Sequence, residues 1–86
     1  MKATEQTMQV KKSKQVIKYL NKQEPAIRER IEFAFDNLPD GDVIPVASMP
    51  NTFRLRVGKF RALFVYENDI IKVTVINVRG QVYKKG

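Results

Sequence analysis

The sequence predicts an α+β domain, with an N-terminal strand and a two-helix antiparallel hairpin on one face of a mainly antiparallel sheet of about four strands. Three observations carry this prediction. Apolar residues recur at helical spacing between Ser13 and Leu38, and the period drops to two from Phe53 onward. The pairs Gly58-Lys59 and Asn68-Asp69 then cut the second region into hairpin strands.

Taken in order, Met8-Gln9-Val10 reads as a short first strand. Ser13 suits an N-cap for a helix reaching Leu20, with Val16, Ile17 and Leu20 on one face. Asn21-Lys22-Gln23 is a tight connection, and Pro25 suits the first position of a second helix ending at Leu38. Ile27, Ile31, Ala34, Phe35 and Leu38 form its apolar stripe, and both stripes read as core. Glu29, Glu32 and Asp36 read as a solvated face with ion pairs rather than as paired catalytic acids. Pro39-Asp40-Gly41-Asp42 ends the helix, and Val43 to Asn51 reads as a connection. Phe53, Leu55 and Val57 alternate with Arg54 and Arg56, and Phe60 to Tyr66 continues the alternation. Ile70 to Val78 is a β-rich strand, and Gln81-Val82-Tyr83 is placed as a last short one. The chain reads as one domain over residues 1–86, loosely ordered over 1–7.

Composition narrows the chemistry. Among 86 residues there is no cysteine and no histidine, which removes thiol nucleophiles, Ser-His-Asp triads and most zinc sites. No apolar run approaches the roughly 18 residues of a membrane span, and the N-terminus lacks a secretory apolar region. The expected location is cytoplasmic, with no membrane partner, metal or cofactor. The formal charge is +7, unevenly placed. Residues 1–43 hold eight basic and seven acidic side chains, whereas residues 44–86 hold eight basic against Glu67 and Asp69 alone. Lys11, Lys12, Lys14, Lys18 and Lys22 fit solubility as well as binding. The second half is rich in arginine, whose fork matches phosphate.

A two-residue turn at Gly58-Lys59 sets the register: Val57 opposite Phe60, Arg56 opposite Arg61, Leu55 opposite Ala62, Arg54 opposite Leu63. Phe53, Leu55, Val57, Phe60, Ala62 and Phe64 then face the helices, and Arg54, Arg56 and Arg61 share the other face. Like charges directly opposite on a sheet repel, so the cluster reads as a seat for an anion. Arginines that protect the sheet, or that pair with Glu67 or helix acids, are the alternative. Periodicity does not identify the anion. Tyr19 and Tyr66 read as packing residues. Tyr83, beside Lys84 and Lys85, suits stacking on a base or closing the core edge.

The stretches Phe53-Arg54-Leu55-Arg56-Val57-Gly58-Lys59-Phe60-Arg61, Val65-Tyr66 and Val78-Arg79-Gly80-Gln81-Val82-Tyr83-Lys84 together resemble the RelE/ParE toxin superfamily of bacterial toxin–antitoxin systems. The match is to its RelE-like mRNA interferase branch, and the helix pair extends it over nearly the whole chain. The resemblance implies a ribosome-dependent endoribonuclease that cuts mRNA in the A site without metal. In that reaction a ribose 2′-hydroxyl attacks the neighbouring phosphate, and the partners are the ribosome, mRNA and a cognate antitoxin. By position, Arg61 matches the family's transition-state arginine, Arg79 its second arginine, Tyr83 its terminal tyrosine, and Arg54 and Arg56 the basic pair before the turn. Lys59, Lys84 and Lys85 are the expected flanking RNA contacts.

The chain departs from the pattern in carrying two arginines where RelE-type enzymes often carry lysines. Arginine stays protonated and is a poor general base, which leaves Tyr83 or a water for that role. The segment around Arg79 is also short. ParE-like members, which inhibit DNA gyrase by binding, are the alternative, with a catalytically inactive RNA- or antitoxin-binding relative as a third.

Overall fold

In a computed structural model of the chain, residues 9–78 are described. The elements run β1 (Gln9–Lys12), α1 (Lys14–Asn21), α2 (Pro25–Asp36), β2 (Val43–Pro45), β3 (Thr52–Val57), β4 (Phe60–Glu67) and β5 (Ile70–Val78). The α+β class holds, but among the described residues the sheet has five strands in the order β1-β5-β4-β3-β2 and is mixed, because β1 pairs parallel to β5. The fifth strand lies in the stretch expected to be a plain connection. Val43 and Ile44, β-branched between Gly41 and Pro45, pair with Leu55 and Arg54 as a three-residue edge strand. Proline is tolerated there because an edge need not donate outward. The expected Gln81–Tyr83 strand and the loose first residues lie outside the described residues.

Helix α1 starts as its sequence requires, with the Ser13 hydroxyl accepting from the Val16 N–H at 3.2 Å. Helix α2 has Pro25 in its first turn and ends at Asp36, two residues short of the expected Leu38. Asn37 takes the C-cap, and Leu38 is buried beyond the helix instead of inside it. The helices do not form a hairpin packed chiefly on itself: α1 seats on β5 and α2 on β3. One apolar sheet face is wide enough for both, and Val16 and Leu20 of α1 bury there with Ile31 and Phe35 of α2. Ile17, expected in the α1 stripe, is instead 44% exposed because it turns off the face that meets β5. Val16, Leu20, Ile31, Phe35 and Leu38 meet Leu55, Phe60, Ala62, Phe64, Ile71, Val73 and Ile76 in a single core. Tyr19 packs edge-on against Phe60 with ring centroids 6.1 Å apart, and burial raises its phenol above the ordinary value. Tyr66, expected to pack, is 41% exposed, since β4 runs past the core at that end.

Two devices place the sheet faces. Gly58 has φ 57° and Lys59 does not share a positive angle, the pattern of a II′ turn, whereas Asn68 and Asp69 are both positive, as a I′ turn needs. A bulge in β5 interrupts the pairing, so that Leu63 lies opposite Val75 and Phe64 opposite Val73. The extra residue, Thr74, switches the alternation: Ile71 and Val73 face the core before it, Ile76 and Val78 after it.

Beyond Val73 the strand β1 is no longer beside β5, and helix α1 takes over its hydrogen bonding. Ser13 donates to the Thr74 carbonyl at 2.8 Å. The Gln15 side-chain amide donates to the Ile76 carbonyl and accepts from the Ile76 N–H, both at 3.1 Å. Gln15→Ala is therefore expected to lower stability by about 1–3 kcal/mol, because it leaves both backbone groups unpaired. Urea unfolding checks this; a loss indistinguishable from that of an exposed α1 substitution such as Lys18→Ala would refute the assigned role.

Candidate anion-binding face

The helices cover one side of the sheet and leave the other open. The observed pairs Val57–Phe60, Arg56–Arg61, Leu55–Ala62 and Arg54–Leu63 are those the turn predicts, so Arg54, Arg56 and Arg61 stand together on the open side. Pairing across four strands arranges this side in rows. Asp42, Arg56, Arg61 and Asn77 form the first, because Asp42 continues the β2–β3 ladder by one step through its carbonyl, which accepts from the Arg56 N–H at 3.0 Å. Ile44, Arg54, Leu63 and Val75 form the second. Thr52, Val65, Lys72 and Lys11 form the third.

The strands β3 and β4 carry no acid before Glu67, but a carboxylate from just ahead of β2 joins the cluster. Asp42 accepts from Arg56 Nε at 2.5 Å and from an Arg54 terminal nitrogen at 3.4 Å. It is the acid of neither alternative, since Glu67 pairs instead with Lys72 at 4.0 Å and no helix acid reaches Arg54 or Arg56. The signal that would have found it is Val43-Ile44 as a strand, which puts Asp42 across from Arg56. The contact is solvent-exposed, with 51% of the Arg56 and 40% of the Asp42 side chain accessible, so it contributes little net stability.

Arg54 differs from its neighbour. Only 15% of its side chain is exposed, and its Nε is buried without a hydrogen-bond partner. A buried guanidinium donor left unpaired is costly and is satisfied by an added acceptor. Arg61 Nη1 donates to the carbonyls of Gly58 (2.8 Å) and Phe60 (3.0 Å), which tether its guanidinium beside the hairpin turn. Lys59 leans elsewhere: its ammonium lies 5.5 Å from the centroid of Phe60, a ring of the helix-side core. Arg79, Tyr83, Lys84 and Lys85 lie outside the described residues. The geometry thus brings together three of the expected site residues and adds Asp42.

By sequence alone the chain matches no family model and no curated protein. Solved structures do match it. The archaeal RelE-RelB complex from Pyrococcus horikoshii OT3 contains a chain 28% identical, superposing with a TM-score of 0.70 over 88% of this chain and 99% of that one. The RelB-RelE antitoxin-toxin complex from Methanococcus jannaschii matches at 23% identity and TM-score 0.68, covering 85% and 94%. The toxin-antitoxin complex RelBE2 from Mycobacterium tuberculosis matches at 22% identity and TM-score 0.68, covering 86% and 100%. No described helix is long and apolar enough to cross a membrane. With its two helices on one side of the sheet and Arg54, Arg56 and Arg61 on the other, the chain shares the RelE-like fold of the chains it matches in these toxin–antitoxin complexes.

Proposed function

We propose that the protein is the toxin of a toxin–antitoxin pair and cleaves mRNA on the ribosome. The carrying observation is the juxtaposition of Arg54, Arg56 and Arg61 on one open sheet face, with a buried, unpartnered Arg54 Nε among them. In the proposed reaction a 2′-oxygen bonds to phosphorus as the bond to the 5′-oxygen breaks. The 2′-hydroxyl loses its proton, the 5′-oxygen gains one, and the products are a 2′,3′-cyclic phosphate and a 5′-hydroxyl. Negative charge builds on the phosphate oxygens along the way. Fixed guanidinium donors aimed at those oxygens stabilise that charge more than the ground state. Arg61, held by the turn carbonyls, is suited to this, with Arg54 and Arg56 as the opposing grip. Arg79 and Tyr83 complete the proposed set, Tyr83 or a water serving as base. Lys59, Lys84 and Lys85 are proposed as outlying RNA contacts.

The antitoxin is proposed as an acidic segment that orders on the basic surface. The RelB-RelE composition of the structural neighbours and the charge of residues 44–86 support this. In vitro translation with primer extension tests the nuclease reading: wild type should generate stops at A-site codons. Absence of stops, with inhibition of gyrase supercoiling in a parallel assay, would replace it with the ParE-like reading.

Asp42 occupies Arg54 and Arg56 in the free protein, so RNA must displace it. Asp42→Asn is expected to change stability by no more than about 1 kcal/mol and to tighten binding of a single-stranded RNA oligonucleotide severalfold. Fluorescence anisotropy measures the second effect. Weaker RNA binding by Asp42→Asn would mean that the carboxylate positions the arginines for RNA rather than competing with it.

A further inference from the structure

The like-charge pair Arg56–Arg61 has a counterpart on the same open face. In the parallel ladder of β1 and β5, Lys11 stands directly opposite Lys72, a placement that repels. Both side chains are exposed, and among the described residues Lys72 pairs with Glu67, at the 4.0 Å limit of an ion pair. Beside them opens a cavity of about 210 Å³ lined by Lys11, Lys12, Ser13, Lys72, Val73 and Thr74. Its position follows from the fold: β1 ends here, α1 begins, and the bulge at Thr74 bends β5 away. Lys11 and Lys72 therefore stand together beside a concave site at the far edge of the face that carries the arginines, while Lys12, opposite Val73, alternates to the helix side.

Between the two basic clusters lie the half-buried Val65 and Val75, an apolar strip over the buried Leu63. Lys72 is two strands across and about two residues along from Arg54, roughly 12 Å by the spacings of a sheet. Basic groups at both ends of an apolar floor suit a strand that alternates phosphates with bases, whereas an acidic peptide would need no such floor.

Resting on the nuclease reading, we infer that Lys11 and Lys72 form a second phosphate seat, which grips the single-stranded RNA a few nucleotides from the phosphate held by the arginines. The seat anchors the strand and takes no part in bond breaking, so it acts on binding and not on the chemical step.

The test is binding of a fluorescein-labelled, 2′-O-methylated oligoribonucleotide across a salt series, with ribosomal cleavage measured alongside. Lys11→Gln/Lys72→Gln is expected to weaken binding by roughly three- to tenfold. The slope of log K against log salt should fall by about 0.7, the value for one lost phosphate contact on a single strand. Cleavage at saturating protein should be unchanged. Lys18→Gln/Lys22→Gln, with the same charge change on α1 and its C-cap, should retain the wild-type slope. Equal losses in both double variants, or none in the first, would overturn the second seat. So would a loss confined to an oligoglutamate probe, which would make the site one for an acidic peptide. If wild type bound no RNA and made no cuts, the nuclease reading itself would fall, and the seat with it. Thermal unfolding separates these outcomes from misfolding, since relief of the Lys11–Lys72 repulsion should leave the midpoint equal or higher.

Discussion

Arg61→Ala is expected to reduce ribosome-dependent cleavage by roughly 10²–10³-fold, the range for loss of one donor to a transition-state oxyanion. The fold should persist. Arg61 faces Arg56 across the β3–β4 ladder, so its removal relieves repulsion on the sheet, although it gives up two bonds to the turn carbonyls. Substitution should therefore act on rate far more than on the unfolding midpoint. The decisive comparison is Arg61→Lys, which keeps the charge but loses the fork. If charge alone suffices, lysine should restore most of the rate; if planar, two-point donation is needed, it should remain slow. Wild-type cleavage by Arg61→Ala would refute the proposed role of the arginine face. The gyrase or binding-only readings would gain only if wild type itself failed to cut.

Phe64→Ala is expected to destabilise the domain by about 3–5 kcal/mol, the usual loss for a fully buried aromatic. Phe64 is 1% exposed and lies at the centre of the sheet, opposite Val73 where the bulge begins. It stacks on Phe53 with centroids 5.5 Å apart, a contact that adds to the loss beyond burial. Against a total stability of about 5–15 kcal/mol for a small domain, this is a large fraction. Urea unfolding provides the measurement. Should the alanine variant not fold, Phe64→Leu retains most of the volume and should be measurably weaker than wild type. Val65→Ala, one residue on and facing the open side, should lose much less. Equal losses at positions 64 and 65 would contradict the assignment of faces.

Much of the site was legible because two-residue hairpin turns leave little freedom. Gly58 at a positive φ fixes which residues oppose each other, and strict alternation then divides Leu55, Ala62 and Phe64 from Arg54, Arg56 and Arg61. Helix starts were equally local: Ser13 and Pro25 act on the backbone within a turn of themselves. The end of α2 was less so, because Leu38 continues the apolar stripe whether it sits in the helix or just beyond it. Its burial was predictable, its conformation was not.

Local preferences are therefore enough for two helices, the β3–β4 hairpin with its register, an apolar face and an arginine face. Whatever depends on partners distant in the chain is set only when the sheet assembles. Residues 43–45 become a strand only because β3 offers an unpaired edge, and that pairing alone brings Asp42 across from Arg56. Residues 9–12 pair with residues 70–73, some 61 positions later by the register Gln9–Ile70, and no local pattern states whether such a pair runs parallel. The bulge at Thr74 likewise answers to packing on both sides of β5, and with it the placement of Val75 and Asn77 on the open face. Short-range preferences act within a turn or a hairpin, whereas pairing between distant strands is chosen by which arrangement buries both helix stripes on one sheet.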